Sequence, residues 1–209
     1  MSYALNEVEA TAKRAARGAG YDWGLAEEAA KATRWLCAQG LDGAAVLARL
    51  LEAGFAAELQ AHVPQGIEGD WLADAPLCPL ATGAALSDCA ARLRDMPMAI
   101  GPVAQPAMIL PFAATAARQL GACVTVAGEG FQAVTDGAAL HCEGTLPDAA
   151  ARLTIGAAGS LTNPNPGQTR AEPEETAWAA LNRFAHKTYA PATEESRLLG
   201  AGAGLSDND

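Results

Sequence analysis

Aromatic side chains are scarce in this 209-residue sequence, at 5% of the chain. The core must therefore be built mainly from Ala, Leu, Val and Ile, and small side chains at a contact let helix axes approach closely. Basic charge is short too, with 14 Lys and Arg against 24 Asp and Glu and a formal net charge of −10. Each third of the chain is acidic. Nucleic-acid affinity depends largely on Lys and Arg neutralising phosphates, and the densest basic run, Lys13-Arg14 with Arg17, is too small for such a surface. No nucleic-acid partner is expected. Long hydrophobic runs are missing as well: the longest, around residues 107–117, contains Pro111 and falls short of the roughly 20 residues a membrane helix needs. The start, Met1-Ser2-Tyr3-Ala4-Leu5-Asn6-Glu7, has neither the basic region nor the apolar core of a signal peptide. A soluble cytoplasmic protein without a membrane partner is the expectation.

The five cysteines (Cys37, Cys78, Cys89, Cys123, Cys142) are an odd number, scattered, and contain no C-x-x-C pair. Reduced, mostly buried thiols are expected rather than a disulfide framework. Zinc spacing, the Walker loop and G-x-S-x-G are all absent, so no cofactor is assigned. His141 and Cys142 are neighbours in a strand pattern, which points them to opposite faces. Asp207 and Asp209 read as solvated charge, and the metal assignment is none. Arg outnumbers Lys eleven to three and Ala is abundant, a composition associated with GC-rich bacterial genomes.

What is present is strong periodicity. Residues 1–60 read as three helices. In the first, Asn6 and Glu9 have capping-box spacing behind Leu5, Val8, Ala12, Ala15 and Ala19 form a stripe, and Gly18 and Gly20 end it. Asp22 caps the second, running through Leu25, Ala29, Ala32 and Leu36 to Gly40; Asp42 opens the third, which Gly54 stops. Residues 61–80 look irregular, and Thr82 is expected to cap a helix to Leu93. Residues 98–103 suit an edge strand between Pro97 and Pro102. Residues 105–120 suit a helix with Pro106 in its first turn and Pro111 as a kink. Three strands follow at 122–127, 131–135 and 139–143, with Asp136-Gly137 as a hairpin signal, and 151–155 adds another. Residues 160–170 read as a loop or linker. Pro173 opens a helix carrying Trp178, Leu181, Phe184 and Ala185, Thr193 caps a last short helix, and Gly200–Gly204 is a glycine-rich tail. Strands grouped between helical blocks predict an α+β fold rather than a doubly wound one. The expected organisation is a single domain, 1–209. Its subregions are a helical one at 1–60, a sheet-containing one at 61–160, and a linker, helix and tail at 161–209.

Few motifs carry chemistry. Gly18-Ala-Gly20-Tyr-Asp-Trp-Gly24 has glycines before a helix, but a dinucleotide loop needs a strand in front of it and here a helix stands there. A tight interhelical turn explains the glycines. Cys78 has only His62 near it in sequence as a base, and a nucleophilic Cys needs both a base and a positive environment. The four tryptophans read as packing anchors, with Trp71, in the loop Gly69–Asp74, the one most suited to lining a pocket.

Two segments, Ala16-Arg-Gly-Ala-Gly-Tyr-Asp-Trp-Gly-Leu-Ala-Glu-Glu-Ala29 and Tyr189-Ala-Pro-Ala-Thr-Glu-Glu-Ser-Arg-Leu-Leu-Gly-Ala-Gly-Ala-Gly-Leu-Ser-Asp-Asn-Asp209, resemble the two ends of an uncharacterised bacterial family catalogued as a domain of unknown function. The resemblance implies no activity or catalytic residue. It does imply that the tail belongs to the fold. If the tail returns to the Gly18–Gly24 turn, then Arg17, Tyr21, Trp23, Glu194, Glu195 and Arg197 form one cluster. Such a set of cations, carboxylates and aromatic faces suits a small anionic or zwitterionic metabolite, and structural Arg–Glu pairs explain the same residues. The leading reading is a small-molecule-binding or accessory subunit. An enzyme using Cys78 or the carboxylates near the chain ends is the first alternative. A protein–protein interaction module using an Ala-rich helical face, a homo-oligomer included, is the second.

Overall fold

The computed structural model describes residues 1–189, and the three N-terminal helices form where the periodicity predicts them. A two-residue strand, β1 (Tyr3–Ala4), leads directly into α1 (Leu5–Ala19). The helix thus begins ahead of Asn6, its N-cap is Ala4 without a side-chain cap, and the expected capping box does not form. Gly18 lies inside α1, and the left-handed residue that ends it is Gly20, at φ 107°. The caps of the next two helices are the expected ones. Asp22 accepts from the Leu25 amide at 2.8 Å to start α2 (Trp23–Ala38), and Asp42 accepts from the Ala45 amide at 2.9 Å to start α3 (Gly43–Glu52). Satisfying those orphan amides is worth about 1 kcal/mol each.

After an irregular stretch, α4 (Pro79–Asp88) starts at Pro79, whose missing N–H costs nothing in a first turn. Thr82 is therefore inside the helix rather than its cap, and its hydroxyl is buried without a partner. Strand β2 (Met98–Ile100) is interrupted by the cis Gly101–Pro102 bond before β3 (Val103–Ala104). A short 3-10 turn, Pro106–Ile109, runs into α5 (Leu110–Leu120), with Pro111 in the first turn of the helix rather than at a kink.

Then come β4 (Val124–Gly128), β5 (Phe131–Thr135), β6 (Leu140–Gly144), β7 (Ala149–Ala150) and β8 (Leu153–Gly156). The main sheet is antiparallel in the order β2-β8-β4-β5-β6, with β2 at an edge as its prolines demand. The fold is α+β. The 160–170 segment is not a free linker. Its Asn165 amide donates to Leu140 O at 2.7 Å and its Gln168 amide to Ala38 O at 2.8 Å, so it straps sheet to helices. It ends in β9 (Arg170–Ala171), which pairs with β1, and α6 (Glu175–His186) closes the described chain.

Helix α5 packs on β4 and β5, α2 and α4 pack on α5, and α1 lies beyond α2 with α6 against it. One continuous buried cluster joins Ala12 and Leu181 on the helices to Val126 and Ile155 on the sheet. The Ala-rich faces of α1 and α2 (Ala12, Ala15, Ala16, Ala26, Ala29) are fully buried inside the chain. The short tail helix expected from Thr193, the Gly200–Gly204 run, and Glu194, Glu195 and Arg197 lie outside the described residues.

Candidate anion-binding cleft

Where α1 ends, α2 begins and α6 ends, the three helices leave a cleft of about 590 Å³, in the size range of small-ligand sites. Local chemistry builds it. Gly18 carries no side chain, and a methyl there would overlap the Phe184 carbonyl oxygen of α6, so its absence lets α6 lie directly on α1. Gly20 then reverses the chain, and Asp22 starts α2. Lys13, Arg14 and Arg17 come from the last turns of α1, Trp23 from the first position of α2, and Lys187 and Thr188 from just past α6.

Within the cleft, Arg17 Nη1 donates to the Tyr21 carbonyl at 2.6 Å, which fixes the guanidinium 4.5 Å from the Trp23 ring centre. Lys13 Nζ lies 5.7 Å from the same ring and 2.7 Å from Glu27 Oε1. That bond holds the Glu27 carboxyl below its ordinary value. Among the described residues no carboxylate pairs with Arg14, Arg17 or Lys187. A helix C-terminus carries roughly half a negative charge, so the ends of α1 and α6 together answer about one of these three cations.

Of the expected cluster, Arg17 and Trp23 meet as anticipated. The Tyr21 ring does not join them. It is 1% exposed, and its hydroxyl lies 3.4 Å from Cys78 Sγ in the core; only its carbonyl serves the cleft, by orienting Arg17. Burial pushes both the Tyr21 hydroxyl and the Cys78 thiol above their ordinary pKa. His62 turns its Nδ1 to Pro76 O at 2.7 Å, so the hydrogen-bond partner of the Cys78 thiol is a phenol and not an imidazole. All five cysteines are free. Trp71, the expected pocket residue, is fully buried with its indole N–H on Ile67 O, whereas Trp23 is 65% exposed. Lys187 was not singled out from the sequence, because only the long-range crossing of α6 over Gly18 brings it to the cleft.

A second cleft, of about 390 Å³, is lined by Cys37, Asp42 and Arg170 among others. Two of its charged side chains are already engaged: Arg170 donates to Ser2 Oγ and Ser2 O, both at 2.8 Å, and Asp42 accepts from the Ala45 and Glu174 amides. Among the described residues no three His, Cys, Asp or Glu side chains gather as a metal would need, and no helix is long and apolar enough to cross a membrane.

Residues 3–92 match the model of a family described as a protein of unknown function (DUF3726). The match bears out the resemblance for the first of the two segments that carried it, 16–29, and does not extend to the second, 189–209. It spans α1 to α4 and so includes every cleft residue except Lys187 and Thr188. No curated protein and no solved structure matches the chain.

Proposed function

We propose that the protein is a small-molecule-binding or accessory subunit whose α1–α2–α6 cleft takes a small anionic or zwitterionic metabolite. The observation that carries this reading is the gathering of Lys13, Arg14, Arg17 and Lys187 around an exposed Trp23 in a chain of net charge −10. Four of the fourteen basic residues converge on one cleft, and three of them have no carboxylate partner among the described residues. Cations left unanswered in a partly shielded cleft attract anions more strongly than cations scattered in water. Lys187 and Thr188 line the cleft, and the chain runs on from Tyr189. Glu194, Glu195 and Arg197 follow Tyr189 within eight positions of the sequence. In this reading Arg17 and Lys187 hold the anionic group of the ligand.

The alternatives draw less support. A nucleophilic Cys78 needs an accessible thiolate, and this thiol is fully buried and pushed upward in pKa. The Ala-rich faces an interaction module would use are buried within the chain itself.

Calorimetric titration of the full chain at low ionic strength tests the reading, with inorganic phosphate as the anionic probe and glutamate as the zwitterionic one. We expect saturable binding of both, weakening as salt screens the cleft. Arg17→Ala/Lys187→Ala abolishes both. No saturable heat with either probe, or unchanged binding in the Arg17/Lys187 variant, overturns it.

A further inference from the structure

We propose that the ligand of this cleft is a small molecule joining an aromatic ring to a phosphate, such as an aryl phosphate or a mononucleotide; this rests on the anion-binding reading above. Two features select the class, one for each half of the ligand.

The ring is selected by Trp23. A large indole at a helix start ordinarily packs inward, yet this one is 65% exposed and lines the cleft. One contact constrains it: the Arg17 guanidinium lies over the ring, 4.5 Å from its centre, and is itself anchored on the Tyr21 carbonyl. The exposed part of a ring braced in this way offers stacking at a lower entropic penalty than a loose side chain. The cleft volume, about 590 Å³, leaves room for a second ring beside the indole.

The phosphate is selected by charge. Lys13 is paired with Glu27, and the nearby Asp22 is not among the residues that line the cleft. Among the described residues Arg14, Arg17 and Lys187 remain without a carboxylate partner, and the two helix C-termini offset about one charge between them. About two positive charges are left. A single carboxylate would answer one of them. A phosphate monoester carries about −1.5 to −2 near neutral pH, and its oxygens match the N–H fork that an Arg presents.

The test is calorimetry on the full chain with four probes: phenyl phosphate, adenosine monophosphate, inorganic phosphate and benzoate. We expect at least one of the two ring-bearing phosphates to bind about tenfold tighter than inorganic phosphate, the worth of one stacking contact on an aromatic side chain. Benzoate is expected to bind more weakly than phenyl phosphate. Trp23→Ala is expected to erase the ring's advantage while leaving inorganic phosphate affinity as it was, and circular dichroism checks that this exposed position leaves the fold intact. The better of phenyl phosphate and adenosine monophosphate tells an aryl phosphate from a nucleotide. If inorganic phosphate binds and neither ring improves on it, or benzoate equals phenyl phosphate, this inference is overturned and the anion-binding reading stands. If none of the four binds, both fall together.

Discussion

A methyl group at position 18 would overlap the Phe184 carbonyl oxygen, so one absent side chain sets how closely α6 lies on α1 and where Lys187 ends up. Helix propensity and packing give opposite signs here. Replacing Gly by Ala inside a helix should stabilise by up to about 1 kcal/mol, whereas overpacking a close contact against backbone costs about 1–3 kcal/mol. Because the obstructing atoms belong to another helix's main chain, packing wins. Gly18→Ala is expected to lower stability by about 1–3 kcal/mol, measured by chemical denaturation. A stabilised variant would mean that the α1–α6 approach has slack. Tyr21 and Cys78 also belong at this scale: both are buried, and their contact ties the turn after α1 to the start of α4 rather than to a catalytic site.

Single elements show where a prediction can be made from local chemistry. In the β5–β6 turn, Asp136 Oδ1 accepts from the Ala138 and Ala139 amides, both at 2.9 Å, and those bonds hold its carboxyl below the ordinary value. A depressed folded-state pKa contributes stability above the unfolded value, and that contribution is lost as pH falls through the folded one. Asp136→Asn keeps the acceptor oxygen but cannot titrate. The wild-type chain is therefore expected to lose stability more steeply than this variant as pH drops below about 4, read from denaturation midpoints at pH 7 and pH 3. Parallel losses would show that the turn bonds do not depend on the charge. The same locality explains what the sequence made legible. Asp22 and Asp42 each cap the helix that follows, and Gly137 turns the hairpin, because each acts within three residues of itself. Asn6 failed as a cap because strand β1 delivers the chain to α1 already extended, and Thr82 failed because Pro79 opens α4 three residues earlier.

For the whole molecule, the cleft is a product of helices remote in sequence, and this limited how much of it could be read in advance. Arg17 and Trp23 flank one turn, so their meeting was legible. Lys187 arrives from α6, more than 160 residues later in the chain by the numbering alone, and only the fold reveals it. Trp71 and Trp23 exchange roles for the same reason: β2 covers the first, with the Trp71 amide bonded to Ala99 O at 2.8 Å, and no element covers the second among the described residues. The charge distribution follows a similar logic. The chain is acidic throughout, yet the C-terminal ends of α1 and α6 favour cations, and their convergence concentrates positive charge in one place. Titrating the isotopically labelled full chain with phenyl phosphate and following its amide and indole NMR signals tests the central claim most directly. The account predicts saturable shifts confined to Gly18, Gly20, the Trp23 indole and Lys187, with the indoles of Trp35, Trp71 and Trp178 unmoved. Shifts scattered over the surface, or none at the α1–α2–α6 cleft, would contradict it.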